Sequence, residues 1–142
     1  MTYGDFKLLV SGFLIGDNAL PKNNGKDNDE VVKQLLSYAY SIVAKKAESL
    51  RLMTLDKSGD IMRGSIGDYL TRRPTLPEDD YSELDIDEDL AFAAARYVAA
   101  AISKDKIAYH ISDAENIILQ YNGIVYSMLE KMNLNEDGNC EL

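Results

Sequence analysis

The apolar positions of this chain fall into four stripes at helical spacing, separated by stretches of turn-forming residues. Between residues 5 and 15, Phe6, Leu9, Val10 and Phe13 recur at i, i+3, i+4 and i+7, one face of a short helix that Gly12 weakens and Gly16 ends. Residues 16–29 are dense in Asn, Asp, Gly and Pro and read as a loop. A second helix opens at Asn28 or Asp29, either a good N-cap, with Glu30 in its first turn. Its stripe is Val32, Leu35, Leu36, Ala39, Ile42, Val43, Ala47 and Leu50, and Lys45, Lys46 and Arg51 gather at the end where the helix dipole favours cations.

The helical period lapses between Leu52 and Leu76. Residues 52–55 and 61–63 can pair as a hairpin with Gly59 at positive φ, and residues 69–72 form a second extended piece before Pro74. The alternative for this segment is an irregular excursion packed on the bundle. The most regular stretch follows, residues 84–134. A third helix over about 87–103 turns Leu90, Ala94, Tyr97, Val98, Ala101 and Ile102 inward, and its many alanines, Ala95 and Ala99 among them, let neighbouring helices approach on more than one side. A fourth begins near Lys106 or at Ser112 and runs to about Asn133, with Ile111, Ala114, Ile118, Tyr121, Val125, Met128 and Met132 at alternating spacings of three and four. Ile117 and Ile124 lie outside that seam and widen the apolar face. Such a face belongs either to a buried central helix or to one that meets its own core on one side and another subunit on the other. The expected fold is mainly α, a bundle of about four helices with a small β-hairpin excursion at 52–76. It forms a single domain over 1–134 with a flexible tail at 135–142.

Length and composition change this picture little: 142 residues and an apolar fraction of 46% suit one globular domain with its own core. The longest apolar run, residues 90–102, is interrupted by Arg96 and too weak for a membrane span, and no secretory signal pattern opens the chain. Charge says more. A net charge of −9 disfavours binding to phosphate backbones and suits a surface that repels DNA. One cysteine, Cys140, forms no intrachain disulfide and fits synthesis in a reducing cytoplasm.

Candidate chemistry is sparse. His110 is the only histidine, and without partners it reads as a hinge or surface residue. The acidic run from Glu78 to Asp89 lacks the glycine and spacing of an EF-hand and reads as solvated surface. Arg72-Arg73 and Lys45-Lys46 are isolated basic pairs rather than a nucleic-acid patch; Arg72 and Arg73 are expected to meet acidic surface on a neighbouring copy. No P-loop, G-x-G-x-x-G, G-x-S-x-G or H-E-x-x-H is present, so no cofactor, metal or catalytic residue is expected.

The order of a Pro-containing acidic loop (Pro77 to Glu83), an Ala-rich helix and a second helix carrying AENIILQYN resembles the head-tail connector, or adaptor, proteins of tailed bacteriophages. Leu90, Ala94, Tyr97, Val98, Ala99, Ala101, Lys104 and Asp105 match the Ala-rich helix of that family, and Ala114, Tyr121, Tyr126 and Leu129 echo the next. The likeness covers the last two-fifths of the chain well and the rest in layout. The long segment 52–76 and a first helix short of the charged character expected there depart from it. The resemblance implies a structural virion protein, not a catalyst: a ring, typically of twelve copies, beneath the portal protein, which extends the DNA channel and meets the next neck or tail component. DNA would pass without specific binding, and no membrane is involved. On this footing Ala95, Ala99, Ile117, Ile124, Tyr126, Arg72 and Arg73 are the expected interface. Glu78, Asp79, Asp80 and Glu83 are then the expected channel-facing loop. A helical interaction module of the cytoplasm, oligomeric through its last helix, is the alternative.

Overall fold

The computed structural model describes residues 1–14 and 19–136, with the backbone alone for 133–136. Helix α1 (Tyr3–Phe13) starts earlier than its apolar period suggests, because Thr2 caps it by accepting from the Asp5 amide at 3.1 Å. Phe6 and Val10 point into the core, and the expected stop at Gly16 lies outside the described residues. Within the expected loop a small hairpin forms, β1 (Lys22–Asn23) against β2 (Lys26–Asp27). Its two central residues, Asn24 and Gly25, both take positive φ, 54° and 79°, the turn whose twist matches the strands it joins. Helix α2 (Asp29–Lys46) is capped by the Asn28 side chain, which accepts from the Val31 amide at 3.4 Å.

α2 stops at Lys46, short of the expected Arg51. Ala47 is extended, and the chain turns so that Leu52 enters the core while Leu50 faces out. What halts the helix is remote. The amides of Glu48, Leu50 and Arg51 donate to Asn122 Oδ1 (2.8 Å), Tyr121 OH (3.1 Å) and Asp87 Oδ1 (3.2 Å) rather than to carbonyls of a further turn. The last α2 carbonyls find side chains too: Asn122 Nδ2 donates to Lys46 O at 2.9 Å, Arg63 Nε to Ala44 O at 2.9 Å and Arg63 Nη2 to Ala47 O at 2.7 Å.

The excursion is a three-stranded antiparallel sheet, not the expected pairing of 52–55 with 61–63. Strand β5 (Leu70–Arg72) lies between β3 (Met53–Thr54) and β4 (Ile61–Gly64). The hairpin closes between β4 and β5 around Gly67 at φ 60°, where Ser65 N donates to Tyr69 O at 2.9 Å; Gly59 is not among the residues at positive φ. The five residues 65–69 join β4 to β5, and β5 takes the centre by pairing with β3 along its other edge. The β4 register shifts between Ile61 and Arg63, a bulge that aims Arg63 at the end of α2.

Helix α3 (Glu88–Ile102) is the central rod, and α1, α2 and α4 (Ile107–Glu136) each pack against it. Ala91, Ala93, Ala94, Ala95 and Ala99 are all wholly buried, so the small side chains serve close packing inside one subunit. α4 is a single helix from Ile107, the earlier of the two expected starts, and Ala114, Ile118, Tyr121 and Val125 bury its seam. Beyond Val125 the packing thins: Leu129 still reaches the core, while Met128 and Met132 are exposed. α4 takes in residues 135 and 136 of the expected tail, and 137–142 lie outside the described residues.

Arg63 thus ties sheet to helix through charge-assisted bonds to two otherwise orphaned carbonyls. Arg63→Met is expected to lower stability to urea by about 2 kcal/mol and to speed amide exchange across residues 61–72. A variant as stable and as protected as the wild type would show that the sheet is held by something else.

Candidate functional site

The acidic loop expected to line a channel is stitched to the start of the chain. Tyr3 N donates to Ser82 O and Gly4 N to Asp80 O, both at 2.9 Å, and Leu84 N donates to Met1 O at 2.9 Å. A Cβ at Gly4 would sit 3.1 Å from the Asp80 carbonyl oxygen, so the close approach uses the absence of a side chain. Glu83 pairs with the terminal amine of Met1 at 2.8 Å, and Asp79 accepts from the Tyr81 and Ser82 amides, both at 3.0 Å. Glu78 gives its backbone carbonyl to Lys33 at 3.1 Å. The four acidic side chains remain exposed, but the loop is anchored to α1.

Lys7 is the anchor that sequence pattern did not single out. It is buried on the polar edge of α1, with its ammonium 2.8 Å from Asp80, 3.1 Å from Asp29 and 3.8 Å from Asp27. Burial pulls that ammonium down, but the hydrogen bonds to Asp80 and Asp29 outweigh it and the net direction is up. One cation thereby joins the acidic loop, the β1–β2 hairpin and the first turn of α2. Among the described residues no group of His, Cys, Asp and Glu is placed to hold a metal ion, and here the ammonium fills the space between the carboxylates.

Arg72 is not free for a neighbour. Its guanidinium grips Asp85 with both terminal nitrogens, Nη1 to Oδ2 at 2.5 Å and Nη2 to Oδ1 at 2.8 Å. Asp85 also accepts from Arg51 Nε at 3.1 Å and from the Thr75 amide at 2.9 Å. Burial alone would raise the Asp85 carboxyl, yet these donors, Arg72 foremost, hold it well below the usual carboxylate range. Arg73 pairs with Asp60 at 3.1 Å, both exposed. The intermolecular role expected of this pair is thus filled within the chain, because the fold brings residues 72 and 85 together after a loop of a dozen residues.

Ala95 and Ala99 are likewise removed from the expected interface by burial. His110, expected at the surface or in a hinge, is buried beneath α1. Its Nδ1 lies 3.0 Å from Arg96 Nη1, a group that can only donate, which fixes Nδ1 as acceptor. Arg96 also donates to Asp113 at 2.6 Å and stacks on Phe13 at 3.7 Å. This cluster ties α1, α3 and the start of α4.

One flank of α4 is among the apolar surfaces that the fold leaves open, along with the exposed Leu8, Tyr81 and Leu119. Ile124 is exposed, Ile117 is half-buried, and with Phe92 of α3, Gln120 and Met128 they line a shallow apolar stripe. Tyr126 is exposed as well, but two residues beyond Ile124 it lies about 200° round the helix, so the two cannot share one contact. Phe92 and Met128 were missed as surface residues; each sits at a position of ordinary helical spacing, and only the lengths of α3 and α4 decide that it is left uncovered. No family model matches the chain, and neither does any curated protein or solved structure. No helix among the described residues is long and apolar enough to cross a membrane.

Asp85→Asn turns a donor towards Arg72 and is expected to lower stability at pH 7 by about 2–3 kcal/mol, read by chemical denaturation. The folded carboxyl titrates below its unfolded value of about 3.9. Its contribution is therefore complete above that pH and is lost as pH falls through the folded value. The deficit of the variant should be constant from about pH 5 to 8 and close in stronger acid; a deficit that grows on acidification would contradict the assignment.

Proposed function

We propose that this chain is a structural adaptor of a tailed-phage neck, which assembles through α4 into a ring that joins the portal to the next tail component and extends the DNA channel. The observation that carries this reading is the overhang of α4. At 1.5 Å per residue its 30 residues span about 45 Å against about 22 Å for the 15 of α3. The C-terminal half therefore runs past its packing partner with Ile124, Met128 and Met132 uncovered. Exposed apolar residues in a line of that length mark a contact surface. The net charge of −9 supports a channel through which DNA slides without sticking, and the anchored loop at 78–83 keeps its carboxylates in place on the surface. A heterologous contact between identical copies closes into a ring whenever its rotation allows.

The test is negative-stain imaging of the full chain, alone and mixed with a tailed-phage portal ring. Rings, free or seated on the portal, are the expected result, and Ile124→Asp with Met128→Asp should abolish them. Both positions are exposed, so this variant should keep its unfolding midpoint within about 2 °C, as surface substitutions do. A discrete two-copy species with no affinity for the portal would instead favour a helical interaction module.

A further inference from the structure

The apolar stripe of α4 carries a charge of opposite sign at each end. Ile117, Ile124 and Lys131 stand seven residues apart, two helical turns each, so they form one line along the helix with Met128 beside it. Lys131 closes that line on the overhang. At the other end Asp89, in the first turn of α3, stands against Tyr121 and Ile124. Both charged residues are exposed, and neither enters an ion pair among the described residues. On a chain of net charge −9, where two copies repel one another over most of their surface, this face has charges that balance.

The face is complementary to itself in antiparallel order. α3 and α4 run in opposite directions, since Arg96 reaches Asp113 while Asp89 lies beside Tyr121. Asp89 is therefore level with Tyr121, and Lys131 stands about 15 Å further along α4. A two-fold axis midway between them falls level with Tyr126. About that axis Lys131 of each copy meets Asp89 of the other, and Ile124 meets Met128. Met132 falls opposite Gln120, over the recess of about 300 Å³ that Phe92 and Ile117 help to form. The lengths agree as well. α4 ends at Glu136, whose counterpart in this register is Asn116, one residue before the stripe begins at Ile117. Each overhang thus covers the stripe of the other copy along its whole length, an overlap of about 30 Å.

We propose that the free chain is a two-fold pair, in which the α4 overhangs of two copies lie antiparallel and each Lys131 reaches the other copy's Asp89. A contact that uses the same patch on both sides closes at two copies and hides the apolar line. Gly123 and Ser127 border that line, and their small side chains let the two helix axes come close. The apolar line supplies the attraction, while the charges fix the register, because exposed ion pairs contribute little stability. The inference rests on the reading of this stripe as a contact between copies and adds its regulation: the pair keeps the stripe covered, and it must open before the stripe can serve a neighbour in the ring.

The test is analytical ultracentrifugation of the full chain, without a portal. A two-copy species is expected, and Lys131→Glu or Asp89→Lys should each weaken it about tenfold, since one reversal turns both symmetry-related contacts repulsive. An equal mixture of the two variants should regain the wild-type dissociation constant, because both contacts of a mixed pair again join opposite charges. That recovery separates the contact from any effect of either substitution on folding. In a Cys140→Ser background, Ser127→Cys, close to the axis, should link to itself through a short bis-maleimide, and Tyr126→Cys, on the far side of α4, should not. A chain that stays monomeric to about 1 mM, or a pair indifferent to both reversals, or variants that do not recover on mixing, would overturn the inference. Rings seated on a portal would still stand in that case, whereas a pair that obeys the charges but never seats on a portal would remove the neck reading and leave the pair.

Discussion

The structure depends on how the C-terminal end of α2 is closed. A helix end leaves carbonyls without intrahelical partners, and here the turn at 47–52 adds amides that no regular element can satisfy. Three distant segments supply the partners: Arg63 from the sheet, Asp87 from the start of α3, and Tyr121 and Asn122 from α4. Tyr121 remains a phenol there, since burial pushes its hydroxyl up to about 12. Because the partners come from three different parts of the chain, the same few bonds set where the sheet sits and how far α4 has travelled when it passes the end of α2. The overhang begins where these bonds end.

A strongly acidic chain manages its charge by folding carboxylates around scarce cations. The terminal amine, Lys7, Arg63 and Arg72 each sit between acidic or carbonyl oxygens contributed by separate segments. Such partly buried pairs are poor sources of net stability, yet removal of one partner strands the other, so they act chiefly to specify position. Their placement explains why the basic residues expected to reach a neighbouring copy are occupied at home. It also leaves the acidic surface, rather than any basic patch, as the face shown to other molecules.

With charge turned inward, the apolar surface that remains is concentrated on α4, and the length of that helix gives it direction. A rod twice as long as its neighbour has a packed half and an unpacked half.

Much of the fold was legible in the sequence. Helical period located all four helices and both ends of α3 closely, and a cap placed the start of α2, because period and capping are local properties of the chain. Ile117 and Ile124 stood out for the same reason, since they fall outside a regular seam. Long-range partners had no local signature. That α2 stops at Lys46, that β5 takes the middle of its sheet, that Arg72 closes on Asp85 and that Lys7 and His110 are buried all follow from side chains that meet across dozens of residues. Ala95 and Ala99 illustrate the limit well: alanine on every side of a helix permits close approach by any neighbour, and tertiary packing alone decided that the neighbours belong to the same chain. The sequence by itself determined which residues can face a core; the relative lengths and placement of the packed helices decided which of them are left facing outward.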